Sequence, residues 1–203
     1  PLQDLVNRGT PDVLAYLNML LEARKTKELN LSFQGFRFFP VEAMYIDDLK
    51  TLFVSDNRIR AIPEAIGPLM TSLTELNLGN NEIASLPYTV GELTALTKMT
   101  LSGNVLKNLP PTMGRIMGLK ELFVTNNLLE APPRDVVERG GAAILSYLRS
   151  FHVGNRTGIL TMSRMSLETL PLEMAVKERV TELDVSKNQL ESLPEEIGLL
   201  VNC

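Results

Sequence analysis

Apolar and polar positions along the chain follow one spelling that returns every 23 or 24 residues and is clearest between residues 73 and 93. Leu73-Thr-Glu-Leu76-Asn-Leu78 predicts a short strand and its approach, with the leucines facing inward and the residues between them facing solvent. Asn81 ends the strand, and its amide, both donor and acceptor, is suited to backbone groups that no regular ladder reaches. Ile83 and Leu86 continue the core, Pro87 stiffens the return, and Val90-Gly91-Glu92-Leu93 closes the outer side. The frame also fits Leu49 to Ser72, Leu96 to Gly118 and Val180 to Asn202, with repeats starting near 26, 49, 73, 96, 119, 157 and 180.

A longer repeat is superimposed. Residues 1–72 align with 132–203 without a gap, and 22 of the 72 pairs are identical. Beyond the skeleton, Asp4, Val6, Arg8, Gly9, Leu14, Tyr16 and Leu17 recur as Asp135, Val137, Arg139, Gly140, Leu145, Tyr147 and Leu148. Between the two stretches the short period is broken. Ile144, Leu145, Leu148 and Phe151 have helical spacing, so a helix is expected over about 142–152, and Thr10-Pro11 signals its counterpart over about 11–21. Both helices are expected on the convex side. The position that should be Asn is Gln34 after the first helix and Met165 after the second, which predicts either local loosening or other partners supplied by the longer turn.

A period of this length and spelling identifies a leucine-rich-repeat solenoid, a curved α/β repeat of short parallel concave strands with two inserted helices. Residues 1–203 read as a single solenoid. Residue 1 falls inside a turn and Cys203 at the first position of a further repeat, so the chain is expected to be a fragment of a longer array.

Composition excludes more than it suggests. Formal net charge is -4 with no dense Lys/Arg cluster, which argues against nucleic acid. No stretch approaches the length of a membrane span, and no signal-peptide pattern is present. With Cys203 as the only cysteine there is no disulfide-bonded cap, and a cytoplasmic location is expected. Asn30-Leu31-Ser32 and Asn155-Arg156-Thr157 match the glycosylation sequon, a pattern common by chance. There is no phosphate loop, zinc-type cysteine pair or nucleophile elbow. The sole histidine, His152, has Leu21 as its first-copy counterpart, so a catalytic base there would be lost in the other copy. Met99, Met113 and Met162 fall on core positions. No catalytic residue, metal, cofactor or small-molecule substrate is therefore expected.

Binding remains, and the strand period places it on the concave face. One column reads Asn30, Phe53, Asn77, Thr100, Phe123, Thr161, Asp184; its neighbour reads Glu28, Thr51, Glu75, Lys98, Glu121, Ile159, Glu182. Phe53 and Phe123 are candidate anchors, because an aromatic ring on a solvent-facing strand position has no folding role there. Glu75, Asn77, Lys98, Thr100, Glu121 and Asp184 would surround them, in a mostly acidic stripe.

The spelling L-x-x-L-x-L-x-x-N-x-L-x-x-L-P-x-x-[IV]-G-x-L resembles the intracellular Ras-group leucine-rich repeats, as in Ras-pathway scaffolds and the arrays preceding the GTPase module of Roco proteins. Pro133-Arg-Asp-Val-Val-Glu-Arg-Gly-Gly-Ala-Ala-Ile-Leu-Ser-Tyr-Leu-Arg149 is similar to a segment found where such arrays end or are broken. The resemblance implies a non-catalytic scaffold or adaptor in signalling that binds one protein partner. A recognition arm of a larger enzyme, such as a GTPase, kinase, phosphatase or ubiquitin ligase, stays open beside it.

Overall fold

The computed structural model describes residues 2–170, 180–193 and 197. The readings for Pro194, Gly198 and Cys203 lie outside the described residues. A short helix, α1 (Leu2–Val6), and a long one, α2 (Thr10–Thr26), open the chain, followed by β1 (Glu28–Asn30). Four coils then carry η1 (Val41–Tyr45), β2 (Thr51–Phe53), α3 (Ile66–Leu69), β3 (Glu75–Asn77), η2 (Tyr88–Glu92), β4 (Lys98–Thr100), η3 (Pro111–Arg115) and β5 (Glu121–Phe123), where η marks a 3-10 turn. After α4 (Arg134–Glu138) and α5 (Gly141–Thr157) come β6 (Ile159–Thr161) and β7 (Glu182–Asp184).

Every strand is three residues long and parallel to its neighbour. Leu29, Leu52, Leu76, Met99 and Leu122 stand in register at the strand centres and point into the core, where all are buried. So short a strand has little stability alone; the stack supplies it, each coil burying the apolar face of the next. The sheet is not continuous. Strands β1 to β5 form one ladder and β6–β7 a second, with α4 and α5 between them.

The asparagines hold the coils together by reaching backward. The Asn81 amide nitrogen donates to the carbonyls of Leu78 and Gly79 in its own coil and to Val54 in the coil before. Its oxygen accepts the Ile59 amide, again one coil back, at 3.0 Å. Asn57, Asn104, Asn127 and Asn188 repeat the pattern on Leu31, Leu78, Leu101 and Met162. This direction explains Gln34 and Met165. Each stands in the first coil after a helix, where no preceding coil needs the amide. The Gln34 amide instead donates to the Ser32 carbonyl at 3.2 Å, and the Arg139 guanidinium donates to the Met165 carbonyl.

On the convex side, glycines let successive coils close up. A Cβ on Gly67 would lie 2.2 Å from the Thr89 carbonyl oxygen, and one on Gly91 would lie 2.3 Å from that of Thr112. At Gly114 the neighbour is no longer a 3-10 turn. A Cβ there would lie 2.6 Å from Cα of Arg149, so α5 occupies the seat of the next convex turn.

The 131-residue repeat holds in three dimensions. α5, β6 and β7 stand 131 residues after α2, β1 and β2. Both long helices end on a left-handed residue, Lys27 and Gly158, whose amides bond back to Ala23 and Gly154. Both run past the expected 11–21 and 142–152. Polar residues such as Arg24, Lys25, Asn155 and Arg156 end the apolar pattern, and the helices stop only where the backbone turns left-handed. The recurring acids have one task. A carboxylate oxygen of Asp4 accepts the Arg37 amide at 3.1 Å, and one of Asp135 accepts the Glu168 amide at 3.4 Å.

Candidate functional site on the concave face

The strand registers place the expected residues in columns on the concave face. Glu75 and Asn77 on β3, Lys98 and Thr100 on β4, and Glu121 and Phe123 on β5 are brought together on three adjacent strands. Phe53, on β2, pairs with Asn77 on one side and Asn30 on the other. Three strand spacings separate the two phenylalanines, roughly 14 Å, so they do not form one cluster. Asp184 lies on the second sheet.

The two rings differ. Phe123 is 45% exposed on the last strand of its sheet, whereas Phe53 is half-buried among its neighbours. Asn77 and Asp184 have folding tasks. The Asn77 side-chain oxygen accepts the Gly79 amide at 3.0 Å, as that of Asn30 accepts the Ser32 amide. A carboxylate oxygen of Asp184 accepts the Ser186 amide at 2.9 Å. That bond, helped by the Ser186 and Ser163 hydroxyls, holds the Asp184 carboxyl below the usual carboxylate range.

The acidic stripe is interrupted at its centre. Lys98 stands between Glu75 and Glu121 in register, and its ammonium lies 2.9 Å from the Glu75 carboxylate. The hydrogen bond to Glu75, with the field of Glu121 behind it, raises Lys98 above the usual lysine range. The face therefore offers a paired cation flanked by the carboxylate of Glu121 and the ring of Phe123, which suits a mixed polar and aromatic contact.

Sequence reasoning missed Phe33. It lies just beyond β1 at the edge of this face, is 77% exposed, and has φ 61. The equivalent positions are also left-handed: Asp56, Asn80, Gly103 and Asn126 in the first ladder, whose residue types suit that conformation, and Arg164 and Lys187 in the second, whose types do not. A bulky ring there gains nothing in folding. The sequence carried a partial signal, since Phe33 stands where the other coils of the first ladder spell Asp, Asn or Gly, while those of the second spell Arg164 and Lys187. The Phe33 amide donates to the Ser55 carbonyl at 3.1 Å, which ties it beside the coil of Phe53.

Away from this face, a cavity of about 400 Å³ lies between the coil returns and α5, lined by Leu86, Leu109, Pro110, Tyr147 and Phe151. His152, near the end of α5, is half-buried. Burial first, then the charges of Arg115 and Arg156, lower its pKa. A lowered histidine favours the neutral form in the fold, so this contribution to stability is complete above the unfolded value of about 6.5 and declines as pH falls through it. The thermal midpoint should therefore fall between about pH 7 and 5.5, and part of that slope should vanish in His152→Leu, the residue of the first copy. Equal slopes in calorimetric scans of both proteins would contradict this. Among the described residues, no group of His, Cys, Asp and Glu is placed to hold a metal ion, and no helix is long and apolar enough to cross a membrane.

Comparisons with known proteins agree with the coil geometry. Residues 47–106 match a family model described as Leucine rich repeat, and residues 179–200 match a second of the same description. A Drosophila melanogaster protein, "Leucine-rich repeat and calponin homology domain-containing protein", is 42% identical over 45 residues, which are 22% of this chain and 6% of that protein. The chain thus spans a small fraction of that relative. A leucine-rich-repeat protein of Leptospira interrogans is 28% identical, with 86% of this chain and 34% of that one covered, at a TM-score of 0.48. The leucine-rich-repeat domain of APL1B is also 28% identical, with 58% and 36% covered, at a TM-score of 0.49.

Proposed function

We propose that this leucine-rich-repeat protein is a non-catalytic scaffold or adaptor that binds a protein partner through its concave face. The observation that carries this reading is the set of rings Phe33, Phe53 and Phe123 along that face and its edge, at positions where the repeat needs no aromatic residue. Rings of this kind supply contact area at low entropic cost, and they dominate many interfaces. The charged pair Lys98–Glu75 and the carboxylate of Glu121 would form part of the polar surround. A cytoplasmic setting in intracellular signalling is supported by the resemblance of the spelling to Ras-group repeats.

A second reading is favoured by the curated relative, whose printed name joins leucine-rich repeats to another domain and which is much longer than this chain. In that reading the solenoid is the recognition arm of a larger protein. Both readings use the same surface.

Photo-crosslinking residues introduced at positions 33, 53 and 123, with exposed Met117 as the control, test the surface directly. One partner should be captured from the three concave sites and not from 117. With that partner purified, each Phe→Ser change at an anchoring ring should weaken binding by about tenfold or more. Unchanged affinity in the folded triple variant would overturn the reading.

A further inference from the structure

Leu14 and Leu17 of α2 recur as Leu145 and Leu148 of α5, yet their surroundings are opposite. Leu14 is 55% exposed and Leu145 5%; Leu17 is 42% exposed and Leu148 2%. Around them, Val13 and Leu20 are only partly buried, while the corresponding Ile144 and Phe151 are buried. Leu21 is exposed as well. The other side of both helices is treated alike. Tyr16 and Tyr147 are buried, and each helix turns through a left-handed residue into the first strand of its ladder.

The difference is what lies in front. On α5 the face is covered by the last coil of the first ladder, where η3 brings Gly114 against the backbone of Leu148 and Arg149. The residues corresponding to that seat on α2 are Leu17 and Asn18. We propose that the apolar face of α2 is a docking surface for a leucine-rich-repeat coil of the same polypeptide, stacked on it as η3 stacks on α5. The occupant is thereby specified as a convex turn with a glycine at the point of closest approach and aliphatic residues equivalent to Leu86 and Leu109 beside it.

Within the first ladder no convex turn is free to supply it from a second copy: η1 is covered by α3, α3 by η2, η2 by η3 and η3 by α5. One residue limits the fit. Gly141 opens α5 so close to β5 that a Cβ would lie 2.7 Å from the Leu122 carbonyl oxygen, whereas α2 has Thr10 there. A coil on α2 must therefore stand slightly off the helix start, and the contact is carried by Leu14, Leu17 and Leu21.

The test joins residues 73–131 directly ahead of Pro1 of the full chain, reproducing the junction at which residue 131 is followed by Pro132. Hydrogen exchange of the α2 amides should slow by about tenfold or more relative to the chain alone. Leu17→Glu should abolish that gain in the extended protein while leaving α2 exchange in the chain alone within about twofold, because Leu17 is exposed there. Unchanged exchange on adding the coils, or insensitivity of the gain to Leu17→Glu, would overturn the proposal. So would a dimer of the chain alone that Leu17→Glu dissolves in sedimentation, because a second copy would then be the occupant.

Discussion

Asn81→Leu should lower the stability of the chain by about 2–4 kcal/mol although the new side chain is of similar size and apolar, as its surroundings largely are. The lost bonds are unequal. The Val54 carbonyl keeps the Asn57 amide, the Leu78 carbonyl keeps that of Asn104, and the Gly79 carbonyl keeps the Asp56 amide. The Ile59 amide has only the Asn81 oxygen, and Ile59 is buried. The penalty is therefore concentrated on one orphaned donor in the preceding coil, with the weaker losses added to it. Urea unfolding gives the magnitude, and hydrogen exchange should show the loss around Ile59. Gln34→Leu, at the same repeat position, should change stability by no more than about 0.5 kcal/mol, because its amide serves only the Ser32 carbonyl. Equal effects of the two substitutions would refute the backward-reaching role of the asparagine.

The second large effect is expected at Gly114. A single methyl group there would meet Cα and N of Arg149 at 2.6 and 2.7 Å and the Leu148 carbonyl oxygen at 2.8 Å. All three are backbone atoms of α5, so no side chain can move aside and the helix itself must shift. Gly114→Ala should cost about 1–3 kcal/mol and Gly114→Val more. Because a solenoid is coupled mainly between neighbours, protection should fall in α5 and β6–β7 while β1 to β3 stay near their original values. Gly118→Ala is the matched control, since its nearest neighbour would be the Leu96 carbonyl oxygen at 3.6 Å. Loss of protection spread evenly over all strands would contradict a local wedge.

How far the sequence could be read follows from what each feature depends on. The coils were legible because their core positions recur with a fixed period, and Leu52, Leu76 and Met99 are buried as that period requires. The repeated Asp4, Gly9 and Tyr16 marked a second copy of the helical start, and their recurrence reflects an amide acceptor, a left-handed turn and a buried ring. Contacts with a neighbouring element were not legible. Leu17 and Leu148 are the same residue in the same motif and differ only in what faces them. The departures at Gln34 and Met165 looked like defects because the direction of the asparagine bonds is invisible in a one-dimensional pattern.

The candidate surface was legible in part. Phe53 and Phe123 were found because strand alternation says which residues face solvent. Their distance apart, the partial burial of Phe53, and the pairing of Lys98 with Glu75 depend on lateral register across the sheet. Phe33 escaped because it lies in a turn, where alternation says nothing, and the left-handed backbone is what makes a ring there out of place.

The backward reach of Asn57, Asn81, Asn104 and Asn127 also bears on how such a chain is made. A ribosome delivers the amino-terminal coil first, and that coil holds amides and carbonyls whose partners have not yet been synthesised. Each coil is completed by the asparagine of its successor, so the folded front trails the growing end by one coil. Arrest of translation just before Asn81 should leave the Ile59 coil open to protease, and arrest beyond it, once that coil has cleared the exit tunnel, should leave it closed.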